Sequence, residues 1–258
     1  VYKRQLEEML PGKTKLSGLS VSTFHAFGYR ILKKHSEHLG RSKHFSILDD
    51  EERIILIRDL FGLKQKNAAT TAKSIKDIKQ SFKLPGEIND VHIFSLFESY
   101  EDKLKESDLF DLDDCLYRPL FLFSQTPSVL SLYKNRYCHV LVDEFQDINS
   151  AQYQMIKKLM PEQDASLYII GDPDQAIYGF RGSDVRFMTD FLKDHPTASL
   201  YKLKQSFRCS DLILRASGKM INNAAHEEDM LIGLHRGVKI NLAENTTDKS
   251  EAEFVARK

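Results

Sequence analysis

Two adjacent carboxylates, Asp143 and Glu144, follow directly on the apolar run that opens HVLVDEFQDIN, His139 to Asn149. Such a run reads as a buried strand of a parallel sheet, and open α/β sheets place their ligands at the carboxyl ends of strands. An aspartate at that point can hold Mg²⁺ together with substrate phosphates. The glutamate beside it can take a proton from an attacking water. The pair therefore predicts a nucleoside triphosphatase site. Taken alone, it is equally an acidic turn closing a strand.

Two more units with a strand and a polar end follow: SLYIIGDPDQAIYGFRG, Ser166 to Gly182, and YKLKQSFRCS, Tyr201 to Ser210. DEFQD, GDPDQAIYGFRG and SFRCS resemble motifs II, III and IV of superfamily 1 DNA helicases of the UvrD/Rep type. VSTFHAFGYRIL, Val21 to Leu32, resembles motif Ib of the same family. The resemblance touches most of the chain, and the DQ-IY-FRG string is its most specific part. It implies an ATP-dependent motor with ATP and Mg²⁺ as cofactors, single-stranded DNA as partner and movement from 3′ to 5′.

Residue by residue, the resemblance gives Asp143 to Mg²⁺ and the nucleotide, and gives Glu144 the polarisation of water. Gln175 becomes a sensor of the γ-phosphate, since an amide can donate to a phosphate oxygen. Arg208 approaches that phosphate in the manner of an arginine finger. Phe207 stands where the family usually has a Tyr stacked on adenine; its ring can still stack, without a hydroxyl. Tyr178 and Phe180 can stack on bases, a contact worth about 1 to 3 kcal/mol per base, and Arg181 can pair with a phosphate. The family often has Trp at the place of Phe180 and Thr at the place of Ile148; this chain has no Trp at all. Thr23 and His25 lie, by resemblance, beside the DNA track, where a hydroxyl and an imidazole reach phosphate or sugar. The bland reading of that pair is a helix-capping Thr and a packed His.

The elements that position these residues can be read in order. VYKRQLEEMLPG reads as a helix closed by Pro11-Gly12. Gly12-Lys13-Thr14 imitates the end of a phosphate-binding loop, but Glu7 stands where that loop needs its first glycine, and a helix precedes it where a strand is required. It reads as an exposed turn, so the sequence shows no phosphate cradle and this chain alone is expected to turn over little ATP. Leu19 to Ser22 reads as a strand. SILDDEERIILIRDLF has Asp49 or Asp50 as its cap, and a helix resumes near His92 and runs to Glu106. In TAKSIKDIKQSF, Ile75, Ile78 and Phe82 share one face. Lys73, Lys76, Lys79 and Lys83 are expected opposite, as a stripe for a phosphate backbone or simply a solvated face. Asp113 and Asp114 read as a polar helix face or cap. VKINLAE reads as a strand and SEAEFVARK as the start of a helix.

The fold class expected is α/β: a partial RecA-like P-loop NTPase core with a parallel sheet plus an inserted all-helical subdomain. The divisions are 1–39 for the start of the motor domain, 40–108 for the helical insert, 109–222 for the rest of the motor domain, and 223–258 for a connection into a second motor domain. Composition is that of a soluble globular protein, 41% hydrophobic and 29% charged with zero net charge. Basic residues are concentrated locally: nine Lys or Arg against three Asp or Glu in 1–45, and six Lys against one Asp in 64–83. The three cysteines show no metal-ligand spacing and suit a reducing cytoplasm. No run approaches the roughly 18 apolar residues of a membrane span, and a monomer is expected. Two other readings remain open, a non-catalytic nucleic-acid or protein adaptor and the helicase portion of a helicase-nuclease.

Overall fold

Short polar residues start several of the described helices. In the computed structural model, which describes residues 8–9, 18–134, 136–160, 166–221 and 231–257, Thr23 caps α1 (Phe24–His35) by accepting the Ala26 N–H at 3.2 Å. Strand β1 (Ser46–Leu48) leads to α2 (Asp50–Phe61), where Asp49 and Glu52 form a capping box. After α3 (Gln65–Gln80), Asp90 caps α4 (Val91–Glu106). Strand β2 (Leu109–Asp111) precedes α5 (Asp114–Gln125) and α6 (Pro127–Lys134). Strand β3 (His139–Val142) is followed by α7 (Ser150–Leu159), capped by Asn149, and then by β4 (Ser166–Ile169).

Two compact units divide the chain, within 1–194 and within 195–258. In the first, β1 pairs in parallel with β2, and β3 in parallel with β4 in the register Val142 to Ile169. One core gathers α1, α5, α6 and α7 around Ile31, Leu120, Phe123 and Met155. A second lies among α2, α3 and α4 around Ile57, Ile75, Phe97 and Leu104, and includes Tyr117 of α5. Gly28 permits the closest approach: a Cβ there would collide with the Cys115 carbonyl, so α1 and α5 touch backbone to backbone. The second unit holds β5 (Gln205–Ser206), α10 (Asp211–Ile221), β6 (Ile232–Gly233) and α11 (Asp248–Ala256), with β5 parallel to β6; the short helices α8 (Arg186–Thr189) and α9 (Phe191–Asp194) end the first.

Several sequence expectations are corrected. Residues 19–22 form no strand, and run irregularly into α1. The segment 40–108 carries strand β1 among its helices. Strands β3 and β4 are not buried on both faces: Leu141 is 68% and Tyr168 54% exposed, because the described sheet has two strands and nothing described covers that face. VKINLAE is irregular, with Val238, Ile240 and Leu242 exposed, and the strand of that region is instead Ile232–Gly233. Glu8 and Met9 are helical; Gly12-Lys13-Thr14 lies outside the described residues. Among the described residues no helix is long and apolar enough to cross a membrane.

Candidate nucleotide site and single-strand loop

Strands β3 and β4 end side by side, so the residues that follow them are neighbours. Phe145 N–H donates to the Ile170 carbonyl at 2.9 Å and Ile170 N–H to the Val142 carbonyl at 2.9 Å, which carries the ladder past the strand ends. Asp143 and Glu144 are both exposed there. Glu144 has φ of 51°, in the left-handed region. A side chain costs about 1 to 2 kcal/mol in that conformation, and such residues gather at functional sites. Gln146, 1% exposed, lies beneath it: its Nε2 donates to Glu144 Oε2 at 2.8 Å and its Oε1 accepts the Asp172 N–H at 3.1 Å. Asp172 in turn accepts from Asp174 N–H at 3.0 Å and from Gln175 Nε2 at 2.8 Å. Glu144, Gln146, Asp172 and Gln175 are therefore one hydrogen-bonded series.

The tightness of this crossing explains Gly171. A Cβ at Gly171 would run into Gln146 Oε1 and lie 3.1 Å from both Met188 Sδ and the Phe145 nitrogen. Burial, followed by the charge of Glu144, pushes the Asp147 carboxyl up from its ordinary range. Asp143 accepts the Glu144 N–H on Oδ1 at 3.1 Å and presents a hard carboxylate at an exposed strand end. That donor fits Mg²⁺, which takes one or two carboxylates and completes its shell with phosphate and water. No group of three or more His, Cys, Asp or Glu that could hold a metal occurs among the described residues.

Beyond Gln175 the chain makes a loop. Tyr178 and Phe180 stand 6.1 Å apart with their rings tilted by 48°, and Phe180 is 77% exposed. Arg181 belongs to the same turn. The loop returns to the exit of β3, with Asp184 N–H donating to the Ile148 carbonyl at 3.0 Å and Asn149 bridging Ser183. Thr23 is the exposed cap of α1; its oxygen accepts from the helix and its hydroxyl proton remains to donate. His25 is half-buried. Burial, opposed by Asp113 and reinforced by Lys76, lowers its pKa, so the imidazole is held neutral.

A charged cluster that the sequence reading missed joins α3 to α5. Lys79 is fully buried, not part of an exposed stripe: its ammonium lies 2.8 Å from both Asp111 Oδ2 and Asp114 Oδ1, and 2.7 Å from Glu101 Oε1. It stands four residues after Ile75, hence on the same helix face. Asp113 is the N-cap position of α5, without a side-chain cap bond, and both Asp113 and Asp114 are buried: Asp113 accepts from Arg53 Nη1 at 2.6 Å, and Asp111 and Asp114 accept each other's N–H. Burial, then the charge of Asp111, raises Asp114 to about 6. Asp111 is also penalised by burial, but Lys79 and Arg53 outweigh this and its pKa falls.

In the second unit, Phe207 and Arg208 are exposed in the turn after β5, which Ser206 shapes by accepting the Arg208 and Cys209 N–H groups at 3.4 and 3.1 Å. The first N–H groups of α10 are satisfied by the His235 and Arg236 carbonyls at 2.9 and 3.1 Å.

Residues 2–196 match the UvrD/REP helicase N-terminal domain. The chain belongs to the UvrD/Rep helicase family. It is 32% identical to the ATP-dependent DNA helicase PcrA of Staphylococcus aureus (strain Mu50) over 253 residues, covering 92% of this chain and 34% of that protein. Against the ATP-dependent DNA helicase PcrA of Bacillus subtilis (strain 168) it is 31% identical over a 273-residue alignment, covering 99% and 36%. The chain thus spans about a third of the length of the relatives it matches.

Proposed function

We propose that this chain is part of an ATP-dependent DNA helicase that couples ATP hydrolysis to 3′ to 5′ movement on single-stranded DNA. The observation that carries the reading is the buried carboxamide of Gln146, which ties Glu144 to the strand end that bears Gln175. Asp143 would hold the metal, and Mg²⁺ when bound neutralises charge on the phosphate oxygens. Glu144 orients the attacking water and draws its proton. Gln175, held through Asp172, meets the terminal phosphate, and a change in its bonding reaches the Tyr178–Arg181 loop only a few residues on. That loop grips single-stranded DNA by stacking and a phosphate contact, with Thr23 and His25 along the same track. Phe207 and Arg208 add a stacking ring and a cation for the nucleotide.

In this reading residues 40–108 are a largely helical subdomain, carrying β1, inserted in a RecA-like core formed by 1–39 and 109–222, and 223–258 lead to a second motor domain. The protein works in the cytoplasm as a monomer. The chain alone, without a phosphate-binding loop in its sequence, retains at most weak DNA binding and is inactive as an ATPase. ATP hydrolysis by the purified chain, with and without single-stranded DNA and beside Glu144→Gln, tests this. No turnover above the Glu144→Gln background is expected; turnover abolished by Glu144→Gln would show an unconventional phosphate site in the chain itself.

A further inference from the structure

The single-strand loop ends in a contact with the helical segment. Gly182 has φ of 81°, and a Cβ built there would lie 2.8 Å from Gln80 Oε1 and 3.9 Å from Gln80 Cβ. Gln80 is the last residue of α3, and its carboxamide has a fixed orientation: Nε2 donates to Asp113 Oδ1 at 2.9 Å, which leaves Oε1 facing the glycine. Asp113 is itself buried against Arg53 of α2 at 2.6 Å. On its other side the same turn is fastened to the exit of β3 by the Asp184–Ile148 bond and the Asn149–Ser183 bridge. The turn at Gly182 is therefore fastened by backbone pairing to the segment after β3 and faces the Gln80 carboxamide at the end of α3 across a shared groove.

Only glycine suits that point. The left-handed φ disfavours any side chain, and the Gln80 oxygen occupies the space where one would go. Through Arg53, Asp113 and Gln80, the position of α2 and α3 reaches the backbone one residue from Arg181 and two from Phe180. We propose that Gln80 is a positioning residue for the Tyr178–Arg181 loop, bracing the turn at Gly182 so that the helical segment sets the placement of the aromatic pair. Its importance for DNA rests on the proposed function; the bracing itself does not.

The absence of Trp from the sequence makes the test direct. Phe180→Trp places a single indole reporter in the loop, and iodide or acrylamide quenching and anisotropy then report its freedom. Adding Gln80→Ala is expected to raise the quenching constant about twofold and lower the anisotropy, with secondary structure retained because Asp113 keeps Arg53. Gln80→Glu is expected to disturb the loop similarly through repulsion of Asp113, while Gly182→Ala should loosen it in the native background and do so less when combined with Gln80→Ala, since the collision is then gone. The same proteins, titrated with a fluorescein-labelled oligothymidine, should bind about 3- to 10-fold more weakly when Gln80 is replaced. Unchanged quenching and anisotropy in Gln80→Ala, or equal effects of Gly182→Ala in both backgrounds, overturn the proposal. If the native chain fails to bind oligothymidine while the Trp signal responds to Gln80→Ala, the DNA role of the loop is wrong and the bracing stands.

Discussion

Gln146 Oε1 accepts the Asp172 N–H at 3.1 Å, so a side chain 1% exposed fixes the end of one strand against the end of the next. The other end of the same carboxamide donates to Glu144. Both ends of a buried amide are satisfied, and its replacement leaves at least the Asp172 N–H without that acceptor.

Gln146→Leu is accordingly expected to destabilise the fold by about 1 to 3 kcal/mol, the usual cost of an abandoned buried polar group. Gly171→Ala should cost a comparable amount by driving its methyl into the Gln146 oxygen, as overpacking does. Urea unfolding of the two single variants and the double checks the linkage. The double variant should cost clearly less than the sum, because the collision and the lost bond involve the same oxygen; strict additivity contradicts the arrangement.

Lys79→Met removes the cation shared by Asp111, Asp114 and Glu101. Leaving carboxylates buried and unpaired costs about 3 to 5 kcal/mol, whereas removing a whole buried ionic group is often close to neutral. Chemical denaturation should therefore show Lys79→Met as severely destabilised and the combination with Asp111→Asn and Asp114→Asn as partly restored. A mild effect of Lys79→Met alone would return that lysine to the solvated stripe.

Asp114 makes stability depend on pH. Its pKa is raised to about 6 from an ordinary 3.8, so the folded state holds a proton that the unfolded state releases between those values. The sign is that stability from this group is fully present below its ordinary 3.8 and is lost as pH rises through about 6. His25 and His35, both lowered chiefly by burial, act in the opposite direction on acidification. Comparison with Asp114→Asn cancels them: the native chain should gain on the variant between pH 7 and 4.5, and parallel stability curves would refute the assignment.

The sequence made the paired strand ends legible because local order suffices there: an aliphatic run followed by DE, and another followed by GDPDQ, are strands β3 and β4 with their polar ends adjacent. The Asp49 cap was equally local. Lys79 was not legible as an exposed or a buried cation from its own helix, since its partners Glu101, Asp111 and Asp114 all lie on other elements, the last two 32 and 35 residues away. Placing it on the Ile75 face, beside the unusual FDLDD at Phe110–Asp114, would have been the available signal. VKINLAE failed for the complementary reason. Alternation specifies a strand only where a neighbouring strand accepts its edge, and among the described residues Ile232–Gly233 takes that place beside β5.

The most direct test of the account is the rate of ATP hydrolysis, stimulated by single-stranded DNA, in the full-length helicase that the proposed function implies, native against Glu144→Gln. A general base contributes about 10²- to 10⁴-fold. Glu144→Gln should lose at least about 10²-fold in kcat, with nucleotide affinity changed only a few-fold. Native turnover in Glu144→Gln would contradict it, and would leave the paired carboxylates as the acidic end of a strand.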